Sequence, residues 1–206
     1  MHLLVGLGNP GPTYEKNRHN VGFMAVNQIF DHHGFDPWKK RFHGAVSLGV
    51  IGQNKVMAFK PYTYMNDSGR AVAEVVRFYK LSTAEVIVIY DDIDLVLGKL
   101  RVKFGGGHGG HNGLRSLDQH LGKAFWRVRI GIGHPGDKTK VHGHVLGDFS
   151  PTETETVTQI IVTLAEEIAA LMQTDPQKGA NELMTRFALK TASPKKRRTS
   201  APTALN

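Results

Sequence analysis

The sequence predicts an α/β fold: a single domain with a mixed, twisted central β-sheet flanked by helices. Three observations predict it. Short apolar runs alternate with amphipathic stretches of helix length along most of the chain. Val86-Ile87-Val88-Ile89 is β-branched and apolar throughout, as expected of a strand covered on both faces. The chain has 206 residues, 40% hydrophobic and 21% charged, which suits one sizeable core.

The elements follow in order. Leu3-Leu4-Val5 with Gly6 behind it reads as a buried first strand, and Gly8-Asn9-Pro10-Gly11-Pro12 then breaks the chain. A helix is expected from about Asn20 to His33, stopped by Gly34. Ala45–Val50 and Val56–Phe59 read as strands around a Gly52-Gln53-Asn54 turn. Val72, Val75, Val76 and Tyr79 recur at helical spacing, so Asp67–Tyr79 is an amphipathic helix. Leu100–Phe104 is a weaker strand. A glycine-rich loop follows, then a short helix marked by Leu114, Leu117 and Leu121 and ended by Gly122. Trp126–Ile130 is another strand. Ser150-Pro151-Thr152-Glu153 opens a helix with a cap residue, a proline at the first position and a glutamate at the third. Val157, Ile160, Ile161, Leu164, Ile168 and Leu171 continue its apolar face. Asp175-Pro176 opens a last helix to about Ala188. Residues 1–190 are expected to form one folded domain. Residues 191–206 are too poor in apolar side chains to pack and read as a basic, disordered tail.

Composition narrows the function. No window approaches the ~18 uninterrupted apolar residues of a membrane span. No basic segment precedes a long apolar one at the N-terminus. Cysteine is absent, which removes disulfide and thiolate chemistry, so a cytoplasmic location is expected. The net charge is +8, half of it in Lys195-Lys196-Arg197-Arg198, and a basic body with a basic tail suits a polyanionic partner.

In α/β sheets ligands gather beyond the carboxyl ends of strands, and this reading puts Asn9, Asn66 and Asp91 just past such ends. Gly6-Leu7-Gly8-Asn9-Pro10-Gly11 fits the dinucleotide pattern, but Pro10 and Pro12 remove amides that a pyrophosphate needs, and Asp31 stands near a helix end. His19, in Arg18-His19-Asn20-Val21-Gly22, titrates near neutrality and so suits taking a proton from water. Asp91 is the candidate carboxylate to orient it, with Asp92 and Asp94 nearby. Asn66 is either a neutral donor to a substrate carbonyl or, like Asp67, a helix cap. The loop Gly105-Gly106-Gly107-His108-Gly109-Gly110 suggests backbone approaching a ligand closely. His108, His111, His134, His142 and His144 invite a metal, but their spacings match no dedicated site. No G-x-S-x-G elbow is present.

Taken together, these segments resemble the bacterial peptidyl-tRNA hydrolases. The likeness rests on Leu4–Gly11, Arg18–Gly22, Thr63-Tyr64-Met65-Asn66-Asp67-Ser68-Gly69, Tyr90–Leu95, Gly105–Leu114 and Arg129–Gly136, in family order. It implies a monomer without cofactor or metal that cleaves the ester between peptide and tRNA ribose, rescuing prematurely released peptidyl-tRNA. It implies His19 as general base and Asp91 as its partner. Asn9, Tyr14, Tyr64, Asn66 and Asn112 would bind the peptide end and the water, with His111 at the cleft rim. Lys103 and Arg129 match the positions that grip the tRNA 5′-phosphate, and Arg115 and Arg127 would add attraction to the backbone. The competing readings are a non-catalytic RNA-binding module, a metal-dependent hydrolase and a nucleotide-dependent dehydrogenase.

Overall fold

The first strand of the chain is also the middle of the sheet. In the computed structural model, which describes residues 1–192, β1 (His2–Gly6) lies between β4 (Asn54–Pro61) and β5 (Val86–Asp92), parallel to both. Seven strands follow the order β2-β3-β4-β1-β5-β7-β6. Beyond β4 come β3 (Gly44–Ile51) and β2 (Lys39–Arg41), both antiparallel to their neighbours. Beyond β5 come β7 (Trp126–Gly131), parallel, and β6 (Leu100–Phe104), antiparallel. The sheet is therefore mixed, as expected.

Side-chain alternation divides the core in two. Leu4, Ile87 and Ile89 face α1 (Val21–His33), α5 (Pro151–Glu167) and α6 (Pro176–Ala192). Leu3, Val5, Val86, Val88 and Tyr90 face α2 (Ser68–Tyr79) and α3 (Asn112–Leu121). Helix α1 ends at Gly34 in the left-handed conformation. Helix α5 opens with the expected capping box: Ser150 Oγ accepts from the Glu153 amide, and the Glu153 carboxylate accepts from the Ser150 amide.

Three features depart from the sequence reading. Strand β2 carries only Lys39, Lys40 and Arg41, with no apolar alternation to reveal it; the backbone of β3 recruits it. Helix α4 (Val141–Val145) is the second, formed by a sequence with no helical apolar stripe. Helix α6 runs past Ala188 and includes Thr191, whose hydroxyl donates to the Phe187 carbonyl at 2.9 Å, so the folded part extends beyond residue 190. Lys195–Arg198 lie outside the described residues. No helix among the described residues is long and apolar enough to cross a membrane.

Candidate active site

Two glycines set the site. A Cβ on Gly22 would stand 2.4 Å from the Ile89 carbonyl and 2.5 Å from the Leu7 amide; one on Gly6 would stand 2.4 Å from the Gly22 carbonyl. Without side chains, the first turn of α1 lies directly on β1 and β5. That contact hangs His19, in the single 3-10 turn Arg18–Asn20, over Asp91, two residues beyond Ile89. The turn is also held from outside. Asn17 donates to Asp148 at 2.7 Å, Arg18 pairs with Glu153 at 2.8 Å, and the Arg18 amide donates to Gly147 at 3.0 Å.

His19 Nδ1 lies 2.8 Å and 2.9 Å from the two Asp91 oxygens. A carboxylate only accepts, so Nδ1 carries the proton and Nε2 is left as a lone pair for the cavity that His19 lines. Burial alone would lower the pKa of His19. The Asp91 charge and hydrogen bond outweigh it, so the ring titrates above its ordinary 6.5. Burial pushes the Asp91 carboxyl up, but the two rings beside it hold it well below the usual carboxylate range.

The second ring is His111. Its Nδ1 accepts from the amides of Gly113 and Leu114 at 3.1 and 3.3 Å, capping α3, so its Nε2 carries the proton and donates to Asp91 Oδ1 at 3.0 Å. The expected rim position is thus corrected: the ring lies inside, 4.8 Å from the His19 ring and 5.2 Å from Tyr90, because the cap and the carboxylate pull it inward. Burial pushes the Tyr90 hydroxyl up to about 12.

Asn9 is fixed by a residue the sequence reading gave no role. Asn20 accepts from the Asn9 amide and donates to the Asn9 carbonyl, each at 2.9 Å, while Asn9 Oδ1 accepts from the Met65 amide at 2.8 Å. The acceptor of Asn9 is consumed, so its Nδ2 remains to donate. Asn9, Tyr64, Asn66, Lys103, Asn112 and Arg129 line the same cavity of about 1030 Å³ as His19, Asp91 and His111. Tyr14 does not line it; the turn Pro12–Tyr14 carries it elsewhere. Asp91 lies within β5 and not past its end. Asn66 does not cap a helix: Asp67 holds the cap position of α2, without a side-chain bond. Arg129 Nε donates to Asp92 at 2.5 Å. Arg127 was expected at a tRNA surface but is fully buried, paired with Asp118 at 2.9 Å, while Arg115 is exposed. His142, Val145 and Leu146 of the α4 region close another wall, which only the tertiary structure reveals.

His19, Asp91 and His111 offer ligand atoms within 4.8 Å of one another, the geometry of a metal trio. The donor set does not suit one. Nδ1 of His111 already accepts two amides, so its Nε2 has a proton where a ligand needs a lone pair. His108 and His134 accept from Gly110 and Gly136 in their own turns, and His144 bonds the Gly133 carbonyl. The dinucleotide reading fails on the same kind of detail. No α-helix begins at the glycine turn, α1 starting only at Val21, and Gly6 serves the contact with Gly22.

A sequence profile described as "Peptidyl-tRNA hydrolase" matches residues 3–195. The chain belongs to the peptidyl-tRNA hydrolase family. A peptidyl-tRNA hydrolase of Rhodospirillum centenum is 51% identical over 195 residues, covering 95% of this chain and 84% of that protein. One of Acidiphilium cryptum is 52% identical over 192 residues, covering 93% and 98%. The crystal structure of peptidyl-tRNA hydrolase from Acinetobacter baumannii superposes with a TM-score of 0.83 at 40% identity, covering 91% of this chain and 94% of that one. A family hydrolase thus carries, in this chain, the carboxylate between two imidazoles described above.

Proposed function

We propose that this chain hydrolyses the ester joining peptide to tRNA ribose, with His19 as the general base. Membership of the peptidyl-tRNA hydrolase family supports the reaction. The observation that carries the assignment of roles is the buried contact of His19 Nδ1 with Asp91, which points the opposite nitrogen at the cavity. A protein that only bound RNA would have no use for a buried carboxylate tied to two rings.

The steps balance without a cofactor. His19 Nε2 takes a proton from water as the oxygen adds to the ester carbonyl. Asp91 stabilises the imidazolium. The oxyanion meets Asn9 Nδ2, with the amides of Asn66 and Asn112 available beside it. The carbon–oxygen bond to ribose then breaks, and the proton on Nε2 passes to the ribose oxygen. Free peptide and tRNA leave. Lys103 and Arg129 grip the tRNA 5′-phosphate, charge-assisted at both contacts. Tyr64 and Tyr90 wall the path. The chain acts in this reading as a cytoplasmic monomer on peptidyl-tRNA released prematurely from translation.

The test is cleavage of a labelled peptidyl-tRNA by the purified chain, with and without chelator. Cleavage in both, abolished by His19→Ala with tRNA binding retained, is expected. Turnover by His19→Ala near the parent rate removes His19 from its role; loss of activity in chelator replaces the mechanism with a metal-dependent one.

A further inference from the structure

Strand β7 carries two arginines on one face, Arg127 and Arg129, and only Arg129 lines the cavity. Arg127 is 0% exposed. Its Nη1 donates to the Gly107 carbonyl at 2.8 Å and its Nη2 to Asp118 at 2.9 Å, and its Cζ lies 4.4 Å from the centroid of the Phe125 ring. Replacing a buried ion pair by apolar side chains is often neutral or stabilising, so stability alone does not account for a guanidinium here.

The Gly107 carbonyl belongs to the glycine loop. Gly105 and Gly106 have φ of +67° and +111°, and the Gly105 amide donates to the Phe125 carbonyl at 2.9 Å. A Cβ on Gly106 would stand 2.7 Å from Lys103 Nζ, so the ammonium rests against a backbone that only glycine leaves bare. Lys103 also faces Arg127 across the β6–β7 ladder. Asp118 neutralises Arg127 and Asp92 neutralises Arg129, while Lys103 pairs with no carboxylate among the described residues. Burial, then Arg129 and Arg127, lower its pKa against the opposing charge of Asp92. A cation crowded by two others, with Asp92 near it but bonded to Arg129, is a site prepared for an anion.

We propose that Arg127 is a positioning residue for the 5′-phosphate: by tethering Gly107 it holds the Gly105–Gly107 turn against Lys103 and so fixes where that ammonium meets the phosphate. The proposal rests on the reading of Lys103 and Arg129 as the phosphate grip. Arg127 touches neither phosphate nor ester; it acts through the loop, and its other neighbour in the cavity wall is the Tyr90 hydroxyl, whose disturbance would fall on both substrates alike.

The experiment compares peptidyl-tRNA bearing a 5′-phosphate with the same substrate bearing a 5′-hydroxyl. Two lesions approach the tether from opposite ends. Arg127→Met with Asp118→Leu removes the buried charges together, leaving neither unpaired. Gly106→Ala leaves Arg127 intact and forces a methyl toward Lys103. In both, KM for the phosphorylated substrate should rise about tenfold, the effect of losing one good contact to a charged group. Values of kcat, and all constants for the hydroxyl substrate, should remain near those of the parent. A phosphate preference that survives in both folded variants overturns the tether. An equal loss on both substrates does so too, since it marks a merely structural role. A parent enzyme indifferent to the 5′-phosphate overturns the grip reading first and this proposal with it.

Discussion

Replacing Asp91 by asparagine tests the hydrogen-bond logic of the site with a change of one atom. Asp91 Oδ1 accepts from His111 Nε2 at 3.0 Å and lies 2.8 Å from His19 Nδ1, while Oδ2 lies 2.9 Å from the same His19 nitrogen. An asparagine offers one acceptor and one donor. His111 cannot adapt, because its Nδ1 is committed to the amides of Gly113 and Leu114 and its Nε2 must stay protonated. It therefore claims the amide oxygen, and the amide nitrogen is turned toward His19. An Nδ1–H would then face an amide N–H at the second position, so His19 favours accepting there, which moves its proton to Nε2 and leaves no lone pair facing the cavity. The contribution of a positioned base, about 10² to 10⁴ in kcat, should be lost. The residual pH dependence should also move to lower pH, because burial of His19 is no longer opposed by a charge. Single-turnover hydrolysis across the neutral range, with binding of deacylated tRNA as the control, measures both effects. A variant that keeps kcat within about tenfold of the parent and the same inflection would refute the tautomer argument.

Four further outcomes follow from the same geometry. The parent enzyme should gain activity as pH rises through an inflection above 6.5, since only neutral His19 is a base. The His19–Asp91 contact stabilises the fold in the opposite sense: seen from His19, its contribution is complete below 6.5 and fades as pH rises through the raised value, and seen from Asp91 it fades as pH falls below 3.8; a pH series of unfolding curves reads it. Asn20→Ala should cost about 2 to 4 kcal/mol in denaturant unfolding, by leaving the buried amide and carbonyl of Asn9 without partners, and should lower kcat by freeing Asn9; unchanged kcat would deny Asn20 any part in placing it. Gly22→Ala should destabilise by more than about 3 kcal/mol, because its methyl would meet backbone that cannot give way; a thermal midpoint close to the parent's would contradict the close approach.

Much of the framework was legible because local signals sufficed. Leu100–Phe104 is a strand with the expected bounds, Gly34 stops α1, and Ser150 with Glu153 starts α5. What was hidden depends on neighbours. Lys39–Arg41 becomes a strand only because β3 has an edge to offer. Arg127 and Arg129 sit at alternate positions with nothing in the sequence to say which one the loop and α3 will cover. Within the site, His19, Asp91 and Asn9 could be picked out by chemical type and position. The inward placement of His111 could not, since it follows from that side chain capping α3, nor could the support that Asn20 gives Asn9 across an irregular loop.

The position of β1 has a consequence for synthesis. The strand made first must wait for β4 and β5 before either of its edges is paired, and His19 and Asp91, 72 residues apart in sequence, meet only when β5 docks. A nascent chain that stalls on the ribosome before Asp91 emerges therefore holds an unzipped central strand and a His19 ring with no carboxylate to orient it.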